Sequence, residues 1–147
     1  MSDHPAPDPI AILLQGHALT RARLQDLAAG APDADAAAWF DGPAPAQRRL
    51  LTGTLCPALI ESMAGSDAVC LKGMTQGLAE QDTSLGRRWP GIRAALGGHD
   101  ADPAALAAWI EDYRAYLRCA DEELLPMAER LLDDQALEQL RIAAAAP

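Results

Sequence analysis

Apolar residues recur at helical spacing through four long stretches of the chain, divided by Gly, Pro and Asp. In the first, Ile10, Leu13, His17, Leu24 and Leu27 fall on one face of a helix. Asp8-Pro9 reads as an N-cap with proline at the first helical position, and Gly30-Ala31-Pro32 stops the run, giving a helix over 9–29. Residues 31–45, rich in Ala, Asp, Gly and Pro, read as a loop whose rings, Trp39 and Phe40, pin it to the rest by burial. A second helix is expected over 44–64, ending at Gly65 and carrying Pro57, whose ring presses on the carbonyl of Gly53. Ser66-Asp67 caps a third helix over 67–97, with Leu71, Met74, Leu78, Gln81, Leu85, Ile92 and Leu96 on one face, a kink at Pro90 and a stop at Gly97-Gly98. Asp102-Pro103 repeats the cap signal and opens a fourth helix over 103–132, with Tyr113, Tyr116, Leu117, Ala120 and Leu124 inward and Pro126 inside it. Asp133-Asp134 caps a short final helix.

Four helices of this length joined by mostly short connections predict an all-α fold, an antiparallel up-down-up-down four-helix bundle with a short C-terminal helix. Residues 1–8 read as a disordered arm and 9–147 as the bundle domain. A faint internal repeat places Leu55-Cys56-Pro57 and Leu124-Leu125-Pro126 69 residues apart. Composition agrees with helix. There are 32 alanines and 21 leucines against one valine and six isoleucines.

The charge of −9, from 12 basic and 21 acidic residues, makes nucleic acid an unexpected partner. No run of apolar residues is long enough for a membrane span, and the proline-rich start MSDHPAPDP has no secretory pattern. Cys56, Cys70 and Cys119 match neither a disulfide framework nor a CxxC zinc site, so a reducing, cytoplasmic setting is expected, with cysteines used as small apolar residues. Only three histidines are present: His4 in the arm, His99 in a Gly-Gly-His-Asp loop, and His17 on an inward face.

The stretch Tyr116-Leu-Arg-Cys-Ala-Asp-Glu-Glu-Leu-Leu-Pro126 resembles the last helix of bacterial hemerythrin-like (HHE cation-binding) domains. Leu55-Cys-Pro-Ala-Leu-Ile-Glu running on to Val69-Cys-Leu71 looks like that family's second helix entering its third, and Asp8-Pro-Ile-Ala-Ile-Leu-Leu-Gln-Gly-His17 like its first. The resemblance covers nearly the whole chain in order. It implies a four-helix bundle around a non-haem di-iron centre, held by imidazoles and carboxylates at helical spacing.

Position by position, the implied ligands are mostly missing. His17 matches the first-helix histidine. The second-helix histidine falls at Gln47 and its carboxylate at Leu51, the third-helix histidine at Gln81, and the fourth-helix pair at Tyr116 and Ala120. No Asp, Glu or His lies between Pro43 and Leu59, and no Glu-x-x-His occurs anywhere, so a shifted register does not restore the site. The resemblance therefore implies a degenerate metal site without a di-iron cofactor and without dioxygen binding. His17, Gln47, Gln81 and Tyr116 are expected to converge in the space it left, as a hydrogen-bonded network or a small-ligand pocket.

With no triad, phosphate loop or paired acid and base, a non-enzymatic binding or regulatory module is expected. Its partner would be a small molecule or a protein, and the oligomeric state is left open. The alternative is a residual metal-binding or redox and oxygen-sensing role built on His17 with Tyr116, Glu80 or Cys119. Cys119 is expected to be at least half-buried and inert, and Glu122-Glu123, Asp133-Asp134 and Glu80 to be solvated faces and caps.

Overall fold

Three of the aspartates read as caps, Asp8, Asp102 and Asp133, do cap helices, while the side chains of Ser66 and Asp67 lie outside what is described. In the computed structural model, which describes residues 8–30, 34–63, 66–96 and 102–145, Asp8 accepts from the amide of Ile10 at 3.0 Å and opens α1 (Pro9–Ala28). Asp102 accepts from Ala104 at 3.0 Å and opens α6 (Pro103–Cys119). Asp133 accepts from Ala136 at 2.8 Å and opens α8 (Asp134–Ala145). Each such bond satisfies an amide that the first helical turn leaves without a carbonyl. Past the end of α1, Gly30 turns the chain at φ +73°, a left-handed conformation that suits glycine. The N-terminal arm with His4, the stops at Gly65 and Gly97-Gly98, and His99 lie outside the described residues.

All secondary structure among the described residues is helical. The 31–45 loop is the first correction. It contains α2 (Ala34–Asp41), and α3 (Pro43–Leu50) has already begun by its end. Gly42 alone separates the two, and Pro43 sits at the start of α3, where its missing N–H is harmless. The alanine-rich stretch is a strong helix former, and the punctuation on either side of it marks ends rather than a loop. Phe40 is buried and Trp39 half-buried, so the rings do anchor the segment, from a helix.

The second and fourth predicted helices each contain a π-helical turn. The segment π1 (Leu51–Leu55) joins α3 to α4 (Cys56–Ser62), and π2 (Ala120–Leu124) joins α6 to α7 (Leu125–Leu131). In each, an amide reaches back five residues, Cys56 to Leu51 and Leu125 to Ala120. The next residue is proline both times, Pro57 and Pro126. A proline inside a regular α-helix meets the carbonyl four residues back, and the wider turn relieves that clash. The two segments lie 69 residues apart, the interval of the sequence repeat.

The helix α5 (Ser66–Leu96) is 31 residues long and runs through Pro90. Its buried stripe is Leu71, Thr75, Leu78, Leu85, Trp89 and Ile92. The core gathers side chains from every helix. α1 packs against α2, α3, α6, α7 and α8, while α5 packs against α4, π1 and α6. An aromatic knot sits where α2, α5 and α6 meet. Phe40, Trp89, Trp109 and Tyr113 lie with ring centroids 5.1–5.6 Å apart, mostly edge to face, and the indole of Trp109 donates to the Leu85 carbonyl at 3.1 Å.

Candidate functional site

Polar side chains enter the interior in three groups. The largest is built on Arg48 of α3. Arg48 shares a stripe with Ala44, Leu51 and Leu55, all buried, and is itself only 6 % exposed. Its Nε donates to Asp82 Oδ1 of α5 at 2.6 Å, and its Nη1 donates to Tyr113 Oη of α6 at 2.7 Å. Thr52 supports Asp82 from π1 at 3.4 Å, and the guanidinium also lies over the Tyr113 ring, 5.3 Å from its centroid. Burial works against the Arg48 charge, but Tyr113 and Asp82 outweigh it and hold the guanidinium protonated. Burial pushes the Tyr113 hydroxyl up, with Arg48 pulling the other way, so it stays neutral and accepts.

The second group joins α1 to π2. His17, 1 % exposed, lies 2.6 Å from Asp121 Oδ1 through Nδ1, and Arg21 reaches Asp121 Oδ2 at 2.6 Å. Burial would raise the Asp121 carboxyl, but the bonds from His17 and Arg21 outweigh it and hold it below the usual carboxylate range. An ionised carboxylate only accepts, so Nδ1 carries the imidazole proton. The third group is smaller. Trp39 Nε1 donates to Thr20 Oγ1 at 2.9 Å, and that hydroxyl lies 2.9 Å from the Gly16 carbonyl and 3.1 Å from Gln47 Oε1. A Cβ on Gly16 would meet the amide end of the Gln47 side chain, so glycine there leaves the room that amide occupies.

No hydrogen bond links any two of His17, Gln47, Gln81 and Tyr116, which were expected to converge. Gln81 is exposed, because the inward stripe of α5 advances from Leu78 by four residues, to Asp82. His17 is bonded to Asp121, not to Gln47, Gln81 or Tyr116. Gln47 is half-buried and bonds with Thr20. Tyr116 is fully buried, and its Oη has no hydrogen-bond partner among the described residues. Burial pushes that hydroxyl well above the usual tyrosine range. Leu51 and Ala120, the positions of the implied carboxylates, are fully buried apolar residues and begin the two π segments. Glu80 is exposed.

Cys56 and Cys119 match their expected roles, whereas Cys70, also expected to serve as a small apolar residue, does not. Cys56 is a core residue, its thiol pushed up to about 12 by burial and by Cys119. Cys119 is half-buried and donates to Glu123 at 3.4 Å, with its thiol pushed up to about 11 by burial and by that carboxylate. Cys70 is exposed.

These residues do not fit a di-iron centre. Among the described residues, no three His, Cys, Asp or Glu side chains gather into a group able to hold a metal ion. The interior instead carries a fixed cation, Arg48, balanced by Asp82. No described helix is long and apolar enough to cross a membrane. Comparison with family models, with curated proteins and with solved structures finds no match.

Arg48, Asp82, Thr52 and Asp121 were not among the residues singled out from the sequence. For Arg48 a signal existed: it stands on the Ala44–Leu51–Leu55 stripe, where an exposed arginine has no place. For Asp121 there was none. Its neighbours Glu122 and Glu123 are exposed, and the π turn presents Asp121 to His17.

Proposed function

We propose that this chain is a hemerythrin-like, antiparallel four-helix bundle in which the di-iron centre has been replaced by internal ion pairs, and that it serves as a non-enzymatic binding or regulatory module. The observation that carries the reading is the buried Arg48 guanidinium, bonded to Asp82 and Tyr113. A metal centre and a guanidinium solve the same problem, supplying positive charge to carboxylate and phenol oxygens that helices bring together. Five of the six implied ligand positions hold Gln47, Leu51, Gln81, Tyr116 and Ala120, and the sixth, His17, is held by Asp121. The internal repeat with its paired π turns supports two related hairpins, as a bundle of this topology needs.

Metal analysis of the purified protein tests this. Iron far below one equivalent per chain, unchanged in His17→Ala, is the expected result. An iron pair per chain with an oxo-bridge absorption band would overturn it. A single metal ion lost in His17→Ala would favour the residual metal or oxygen-sensing role, since a carboxylate on Nδ1 is the arrangement that orients a ligating imidazole.

A further inference from the structure

The geometry points to a binding site for a small multivalent oxyanion, a phosphate or a polycarboxylate, in the cleft between α3 and α5 that opens onto Arg48. This deepens the binding-module reading, on which it rests, by naming a ligand class.

The cleft has a volume of about 340 Å³, and Arg48, Arg49, Thr83, Gly86, Arg87 and Trp89 are among the residues that line it. That is the size range of small-molecule sites. Asp41 and Asp82 also line it, but neither is a free negative charge. Asp82 is held by Arg48 at 2.6 Å, while Asp41 is held by Arg93 at 2.8 Å and by the Trp89 indole at 2.8 Å. With those two pairs neutralised, Arg49 and Arg87 leave the cleft positive on a chain whose net charge is −9.

Among the described residues, seven arginines are paired with carboxylates. Of the four that are not, Arg49, Arg87, Arg118 and Arg130, the first two line this one cleft from different helices. An acidic protein has many carboxylates on which to neutralise surface guanidiniums, so two without one at the same concavity mark a place for an external anion.

The floor supplies a third donor. Arg48 uses Nε on Asp82 and Nη1 on Tyr113, whereas its Nη2 makes no hydrogen bond among the described residues. Nη2 stands 3.6 Å from the point where a Cβ on Gly86 would begin, so the absent side chain leaves that nitrogen uncovered. A guanidinium already fixed on two sides loses little freedom when it takes an anion on the third. The Thr83 hydroxyl lies at the wall.

Titration with pyrophosphate, citrate and inorganic phosphate, each against sodium chloride at matched ionic strength, tests the site by calorimetry and by the shift in Tm. Saturable binding of pyrophosphate or citrate is expected, weakening as salt is raised. If pyrophosphate alone binds, the ligand is of the phosphate class; if citrate alone, of the carboxylate class. Arg49→Gln/Arg87→Gln alters only exposed side chains and should weaken binding about tenfold or more while leaving Tm without ligand unchanged. Gly86→Leu fills the floor at unchanged charge and should abolish binding. No saturable binding by any of the three anions, or equal binding by the double variant, would overturn the proposal. Iron content is unaffected by either result, so failure here is distinct from failure of the metal-free reading.

Discussion

Removing Asp82 should expose how far the interior depends on one ion pair. In Asp82→Ala the Arg48 guanidinium stays charged and buried, keeps its bond to Tyr113 and loses its carboxylate. Stripping one partner from a buried pair costs about 3–5 kcal/mol, because the remaining charge is neither paired nor hydrated. Arg48 is 6 % exposed but the Asp82 side chain is 24 % exposed, so water reaches the vacated position and the lower end applies, about 3 kcal/mol. For a chain of this size that lowers Tm by roughly 6–12 °C. Urea denaturation monitored by tryptophan fluorescence measures the loss directly. The companion double variant Arg48→Met/Asp82→Ala removes the charge together with its partner. It should lose less than the two single losses added, with a coupling of about 1.5 kcal/mol or more. A loss below about 1 kcal/mol in Asp82→Ala, or plain additivity in the double variant, would refute the view that the pair is a buried and coupled unit.

Three further outcomes are expected. Tyr116→Phe removes a buried hydroxyl with no partner among the described residues and should hold or raise stability by about 1 kcal/mol in urea, whereas a loss of that size would show the hydroxyl to be bonded. Asp121, held below the usual carboxylate range, binds fewer protons folded than unfolded. The advantage of the wild type over Asp121→Asn, about 2 kcal/mol at neutral pH, should therefore persist down to about pH 4 and fade as pH drops through the lower folded value; an advantage that grows in acid would reverse the sign. Iodoacetamide at pH 8 should label Cys70 first in the native protein, with Cys56 and Cys119 reacting only on unfolding, which peptide mass spectrometry resolves.

Helix ends were legible from single residues, since Asp8, Asp102 and Asp133 act through bonds to amides two or three positions on. Interior geometry was less so. Gln81 and Asp82 differ by one position, and an inward step of three from Leu78 reaches one while a step of four reaches the other. The burial of Thr75 and Trp89 shows which applies, because the steps Leu71–Thr75–Leu78 and Leu85–Trp89–Ile92 alternate four and three, so that a step of four follows Leu78. The predicted stripe, which ran through Met74 and Gln81, leaves Thr75 and Trp89 out. The α2 segment was hidden by its flanks, where Gly42 and Pro43 mark a junction between helices. The His17–Asp121 bond spans 104 residues and depends on a π turn, so no local pattern could reveal it.

The two π turns also set a rule about length. Each one fits an extra residue into a helix, so the residues beyond it are displaced by about 100° around the axis relative to an uninterrupted α-helix. The buried faces Cys56–Leu59 and Leu125–Ala128 are aligned with the core only because of that offset. Shortening either segment by one residue would straighten the helix and turn its C-terminal face away from the interior. Lengthening the connection at Gly42 would leave the phase of both untouched. Residues 51–55 and 120–124 are therefore where this fold counts its residues most strictly, even though a change of side chain at exposed Gly53, Glu122 or Glu123 would barely register.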